Sequence, residues 1–483
     1  MQTIDQDASL ADATLEDASH ESQPTKKLQM DRRRTLLFGA LSLGLLSWVA
    51  FYNGYPTVTP DSGTYLLTGA FHIAFPPFRA PGYSAFTRWT SLGTSAWFTI
   101  AIQALIVVYV LRVTFVHLIG GDRKYVDRCL LAGVCVLAAL TSLPWLVSEL
   151  MADVFVGVLF LSAFLLAFAG ELLLGQRFVL ALILTISVSA HMSLFPILGL
   201  YIAAVVVLRL AGRQTYGLPP TWSALAWLIV PIIAAGFWTA TQNLNMFLGF
   251  RLSPSKNTFL LGRLFGDGLA PDFLREQCPR RPFISCRYLS NLPRSGQEFL
   301  FQHPLIRDLK GHDDEVDTIV HGTLLAYPLR FLVSSAKQTL LQLATLRTGE
   351  EMRLHATTDL DTYAIQRVWP LDLDAYRISK QFMDGLRPLA DAFARVHTTI
   401  FWLSVAACLL FARTGRFVRI NKFLVSATVF LVINAAVCGA LAGVFDRYQS
   451  RVEWIMPLCL IAYICCFIRE WEGGVARQEP IHP

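Results

Sequence analysis

Residues 32–65 read RRRTLLFGALSLGLLSWVAFYNGYPTVTPDSGTY: three arginines, an apolar run, then a turn-rich stretch with one acidic residue. The run from Thr35 to about Tyr52 is close to the roughly 20 apolar residues that a helix needs to cross the hydrocarbon of a bilayer. No small-residue cleavage site follows it, so it reads as a retained helix and not as a signal peptide. The arginines before it mark the cytoplasmic side.

The same pattern repeats along the chain. Of the 483 residues, 54% are hydrophobic and 16% charged, and the mean hydropathy is +0.47. A soluble fold cannot bury that much apolar surface, so lipid is expected to be part of the solvent, and in lipid only a helix pairs its own backbone within one segment. The expected fold is therefore an all-α integral membrane protein with about ten transmembrane helices. Their expected positions are 35–52, 96–117, 129–145, 152–170, two short helices within 178–213 meeting at His191, 222–241, 399–410, 423–444 and 454–467.

With Arg32, Arg33, Arg34, then Arg123, Lys124, Arg128, and later Arg413, Arg416, Arg419 and Lys422 all on one side, both termini fall in the cytoplasm. The domain reading is a disordered cytoplasmic tail over 1–34, helices one to seven over 35–241 with a first outer loop at 53–94, an extracytoplasmic loop domain over 242–398, helices eight to ten over 399–469, and a cytoplasmic tail over 470–483. The net charge of +6 is spread over helix ends, which argues for topology and against a nucleic-acid partner. There is no G-x-x-x-x-G-K-[ST] loop for ATP.

Seven of the nine cysteines lie in or beside apolar runs and read as small core residues. Cys278 and Cys286, in the outer segment, have seven residues between them in an oxidising compartment and are expected to form a disulfide. The pattern from Tyr327 to Leu346 reads as an interfacial helix lying along the membrane or covering a cavity.

Residues able to do chemistry fall at one membrane depth. Asp61 follows helix one, Glu149 and Asp153 sit at the junction of helices three and four, four residues apart and on one face if a helix runs through them, and His191 tops helices five and six. Asp446, Arg447, Arg451 and Glu453 follow helix nine. Each alone is ordinary: an acid past a helix end is commonly solvated, a histidine at a turn structural, an arginine there a headgroup anchor. Their coincidence on one side makes a polar cavity the sharper reading.

The ordered motifs Pro60-Asp61-Ser62-Gly63-Thr64-Tyr65, Arg79-Ala80-Pro81-Gly82-Tyr83, Ser148-Glu149 and Arg447-Tyr448 resemble those of GT-C membrane glycosyltransferases, the class of the protein O-mannosyltransferases and the lipid A aminoarabinose transferase. The resemblance covers about the first 210 residues and the last 40, and nothing between about 245 and 395. It implies a lipid-phosphate-sugar-dependent transferase acting outside, in a bacterial inner membrane, with membrane lipids and a polyprenyl-phosphate sugar donor as partners and a glycan, lipid or protein acceptor. It assigns Asp61 as general base, where many relatives carry an acidic pair. Arg447, Arg451, Arg79 and His191 would meet the donor phosphate, and Glu149, Asp153, Tyr65 and Tyr83 would bind or orient substrate. No cofactor is fixed, and a divalent metal is left open. Competing readings are an O-antigen polymerase or ligase, for which Arg280-Arg281 in the outer segment would speak, and a transporter or flippase, for which an internal repeat is missing.

Overall fold

The apolar runs fold as helices, and the surface that they leave outside is apolar too. The computed structural model describes residues 33–74, 79–210, 221–253, 257–350 and 359–475, and among these no strand is formed. Five helices are long and apolar enough to cross a membrane: Ala96–Ile119, Trp222–Asn245, Arg387–Arg413, Val418–Leu441 and the stretch Asp446–Glu472. Three shorter apolar helices, Val154–Phe168, Leu174–Ala190 and Leu194–Leu210, pack between them around one continuous core that runs from Leu46 to Cys466. Trp222–Asn245 exposes Ile229, Val230, Ile233 and Phe237 on its outside. Such a stripe is unstable against water and natural against lipid tails. The tail residues 1–32 and 476–483 lie outside the described residues.

Several boundaries depart from the expected ones, each for a local reason. The eighth apolar helix begins at Arg387 and not at Thr399, because Arg387 and Arg395 lie on its exposed side while Ala390, Ala394 and His397 turn inward. Hydropathy averaged around the helix hides that division. The expected helix over 129–145 divides into Arg123–Leu140 and the short Leu143–Val147, whose Pro144 stands at its start, where its missing N–H is harmless.

The segment after 242 serves three separate tasks. Residues 258–326 build a core of their own around Leu261, Phe265, Leu274, Phe299 and Ile319, and a disulfide joins Cys278 and Cys286 beside it. The helix Pro328–Ala344 packs along Val418–Leu441. Gln342 locks it by donating to the Phe445 carbonyl at 2.8 Å and accepting from the Phe445 N–H at 3.0 Å. Residues 359–386 fold back over the first loop, where Ile365, Trp369 and Tyr376 share a core with Tyr55, Val58 and Leu67.

The first loop is itself helical, with Ser62–Phe71 and Pro81–Thr90 packed together. Pro81–Thr90 also lies against Leu174–Ala190, so closely that a Cβ on Gly82 would collide with the Ser189 carbonyl oxygen. That contact sets the first loop beside His191. Gly82→Ala is expected to destabilise the protein by about 1–3 kcal/mol through overpacking, read as a lower thermal midpoint in detergent. Gly39→Ala, with nothing within 4 Å of the new methyl and a helical backbone around it, should leave the midpoint the same or slightly higher.

Candidate functional site

The backbone of the first loop is held before any charge is placed. Thr57 donates its N–H to the Ser148 carbonyl at 2.9 Å and accepts from the Leu150 N–H at 2.8 Å, and Ser62 Oγ donates to the Leu150 carbonyl at 2.8 Å. This pairing keeps 148–153 out of a helix, and the next helix begins only at Val154. The expectation that Glu149 and Asp153 share a helical face is therefore corrected. Glu149 pairs through its backbone with Thr57, and Gln103 donates to its carbonyl at 3.1 Å.

Asp61 stands at the N-cap of Ser62–Phe71, yet its side chain makes no cap hydrogen bond. An aspartate there ordinarily binds the first free N–H groups. Here Asp361 takes that role, accepting from the Gly63 N–H at 2.8 Å. The segment carrying Asp361 comes so near that a Cβ on Gly63 would meet the Leu360 backbone at 3.0 Å. Relieved of capping, the Asp61 carboxylate accepts from Arg79 and, at 3.2 Å, from Arg447.

Arg447 then continues the chain of charges. Its Nε donates to Asp153 at 2.6 Å, and Arg451 Nη1 donates to the other Asp153 oxygen at 3.3 Å. Arg447 and Arg451 share one face of the helix Asp446–Glu453, being four residues apart. Arg451 is fully buried and does not anchor to headgroups. It is held by Asn434 at 2.9 Å, and its guanidinium lies over the Tyr448 ring, 5.3 Å from the centroid. Arg79, Asp61, Arg447, Asp153 and Arg451 thus alternate in sign.

His191 joins this row at one remove. Its Nδ1 lies 2.9 Å from Ser193 Oγ and accepts from the Ser193 N–H at 3.2 Å, while Arg451 donates to Ser193 Oγ at 3.4 Å. Burial, then the charge of Arg451, pushes the imidazole pKa down to about 3, so it is neutral at physiological pH, and with Nδ1 accepting it carries its proton on Nε2. For Asp61, burial works upward, but Arg79 and Arg447 outweigh it and hold the carboxyl below its ordinary value.

The two tyrosines differ in place. The Tyr65 and Tyr83 rings meet edge to face with centroids 5.1 Å apart. Tyr83 Oη donates to Gln103 at 2.6 Å, which makes Tyr83 a packing and positioning group. Tyr65 Oη is buried without a hydrogen-bond partner among the described residues, as are Arg79 Nε and Arg451 Nε. Glu453 lies apart from the row, accepting from the Ser142 N–H at 3.0 Å and from Thr348 at 3.3 Å. Among the described residues no group of three or more His, Cys, Asp or Glu could hold a metal ion.

Asp361 and Asn434 were not among the candidates drawn from sequence. Asn434 had a signal, being an amide in an otherwise apolar run; Asp361 had none. An all-helical chain with membrane-length helices and a buried row of alternating charges is the class that this arrangement defines. No protein-family model, curated protein or solved structure matches the chain.

Removing one member of a buried ion pair strands the other. Asp153→Asn is expected to destabilise the protein by about 3–5 kcal/mol because Arg451 then keeps a buried charge without its carboxylate. The double variant Asp153→Leu, Arg451→Met should recover part of that loss, and thermal unfolding of the three proteins in detergent reads the difference.

Proposed function

We propose that the chain is a membrane glycosyltransferase that moves a sugar from a polyprenyl-phosphate donor to an acceptor hydroxyl of a glycan, lipid or protein on the extracytoplasmic face of a bacterial inner membrane. In this reading ten helices cross the membrane: the five long ones, the three short apolar ones, Arg123–Leu140 and the broken helix over 33–53. The orientation is supported by the basic groups gathered at the opposite end from Asp61. Arg34 and Arg112 approach Asp127 at 3.8 and 3.3 Å, Arg419 binds Glu171 at 3.2 Å and the His117 carbonyl at 3.1 Å, and Arg469 binds the Ile119 carbonyl at 2.6 Å. That is the positive side, facing the cytoplasm.

The observation that carries the reading is Asp61 held between Arg79 and Arg447. Transfer of a glycosyl group from a lipid phosphate forms a bond from the acceptor oxygen to the anomeric carbon and breaks the bond from that carbon to the phosphate oxygen. The acceptor loses its proton and the departing phosphate keeps the electron pair. Asp61 takes the proton as general base, and the guanidiniums of Arg79 and Arg447 meet the phosphate.

These tasks are coupled by the ion pairs. In the free protein both arginines are occupied by carboxylates, which keeps Asp61 a weak base. A donor phosphate competes for the same N–H groups, and as Arg79 and Arg447 turn to it, Asp61 loses the charges that depress its pKa and becomes a stronger base. Tyr65 Oη and Arg79 Nε offer donors that no described residue uses, suited to phosphate or sugar oxygens. Asp153 keeps Arg447 and Arg451 in place, Glu149 fixes the pinned loop, and the neutral His191 supplies an Nε2–H.

Asp61→Asn is expected to lower transfer from radiolabelled polyprenyl-phosphate sugars by about 10²- to 10⁴-fold, the usual contribution of a general base, with donor binding retained. Full activity in that variant would remove Asp61 from the mechanism.

The pH dependence follows with its sign. Because the Asp61 pKa is lowered in the free protein, kcat/KM should hold as pH falls through the ordinary aspartate range near 3.9 and decline only below it. In the donor complex the pKa rises, so the acid limb of kcat should lie at higher pH than that of kcat/KM. Arg79→Gln should move the kcat/KM limb upward, and coincident limbs in the wild type would argue against the exchange.

A further inference from the structure

At the far end of the helix Ser62–Phe71 lies a cavity of about 470 Å³, between that helix, Pro81–Thr90 and residues 367–369. The helix has 10 residues, which places this end roughly 15 Å from Asp61 at 1.5 Å rise per residue. None of the residues lining the cavity belongs to the charge row, and none is acidic. Two are arginines, Arg88 and Arg367.

Both have donors to spare. Arg88 Nη1 donates to the carbonyls of Gly69 and Ala70 at 3.1 and 2.8 Å, capping the last turn of Ser62–Phe71, and its Nε and Nη2 hydrogens bind no described residue. Arg367 makes no hydrogen bond or ion pair with the described residues; its one contact is with the Phe71 ring, 5.8 Å from the centroid. Trp369 also lines the cavity, and its Nε1 is buried without a hydrogen-bond partner among the described residues. Both arginines reach solvent at the mouth of the cavity, and no acidic side chain lines it to compete for an incoming anion.

The remaining wall is aromatic. Trp89 is 66% exposed at this mouth, and its ring leans on Trp238 of the membrane-length helix Trp222–Asn245, with centroids 6.5 Å apart. Phe71 is exposed beside it. A planar fork of guanidinium donors, unneutralised and backed by aromatic faces, suits a phosphate oxygen better than a carbonyl or a cation.

We propose that this cavity is a second anion site, separate from the Asp61 centre, that binds a phosphate-bearing ligand through Arg88 and Arg367. The phosphate is the shared chemistry of two sources, a lipid headgroup entering beside Trp89 and Trp238 or a soluble sugar phosphate. The assignment does not depend on the transfer reaction.

The test is calorimetric titration of the full chain in an uncharged detergent with two probes, glucose 1-phosphate and short-chain phosphatidic acid. Arg367→Gln is the diagnostic variant, because Arg367 bonds to nothing whose loss would unfold the protein. The expected result is saturable binding of one probe or both, weakened about tenfold or more by Arg367→Gln as charged hydrogen bonds are lost and retained in Arg79→Gln. Binding of glucose 1-phosphate would assign the site to soluble phosphates, and binding of phosphatidic acid alone to a headgroup. No saturable binding of either probe to the wild type would overturn the proposal. So would binding unchanged in both Arg367→Gln and Arg88→Gln, or binding abolished by Arg79→Gln alone.

Discussion

Arg447 joins Asp61 to Asp153, and with that one guanidinium three distant parts of the chain become a single object. Its partners come from the first loop and from the break before Val154, 386 and 294 residues away. Arg447 and Asp153 are largely withdrawn from water, with side chains 14% and 1% exposed. Charges so placed are unfavourable unless each has a counter-charge and its remaining hydrogen bonds. The surrounding structure is arranged to provide them: Asn434 and Ser193 for Arg451, and Glu350, which accepts from the Arg447 N–H at 2.9 Å.

The local irregularities of the fold follow from the same requirement. A helix running through Glu149 and Asp153 would direct both carboxylates from one cylinder. The pairing of Thr57 with Ser148 and Leu150 instead turns the chain so that Asp153 meets two arginines from the last part of the sequence. On the other side, the Asp446 carboxylate accepts from the Arg347 N–H at 2.9 Å, and Gln342 binds Phe445. The helix that bears Arg447 and Arg451 is thereby fixed at its start by the segment after Pro328.

The sequence made the helices legible because hydropathy is a property of contiguous residues, and lipid allows few ways to bury a backbone. The row itself was legible only as a coincidence of membrane side: Asp61, Arg79, Asp153, Arg447 and Arg451 were picked out by motif and by depth, and no pairing among them could be read. Charge partners hundreds of residues apart leave no periodic trace. Glu149 was misplaced because spacing of four suggests a helix, and the hydrogen bonds that forbid one come from Thr57. Helix eight was cut short because its polar first turns are polar on one side only. Asp361 was out of reach altogether, since its role is to replace a cap that Asp61, by its position, was expected to make.

That replacement also connects the two ends of Ser62–Phe71. A helix leaves N–H groups unpaired at its start and carbonyls at its end, and local side chains ordinarily satisfy them. In this helix local bonds from Ser62 N–H to Thr59 and from His72 N–H to Thr68 are joined at each end by a group from elsewhere: Asp361 takes the Gly63 N–H, and Arg88 takes the carbonyls of Gly69 and Ala70. The consequence at the first end is a carboxylate free to pair with arginines. At the second it is a guanidinium anchored through one nitrogen at the edge of the cavity. A helix capped by its own residues would have had neither group to offer. Its rigidity then keeps the charge row and the arginine-lined cavity at a constant separation, so that occupants of the two would be presented to each other at a distance set by the backbone and not by any loop.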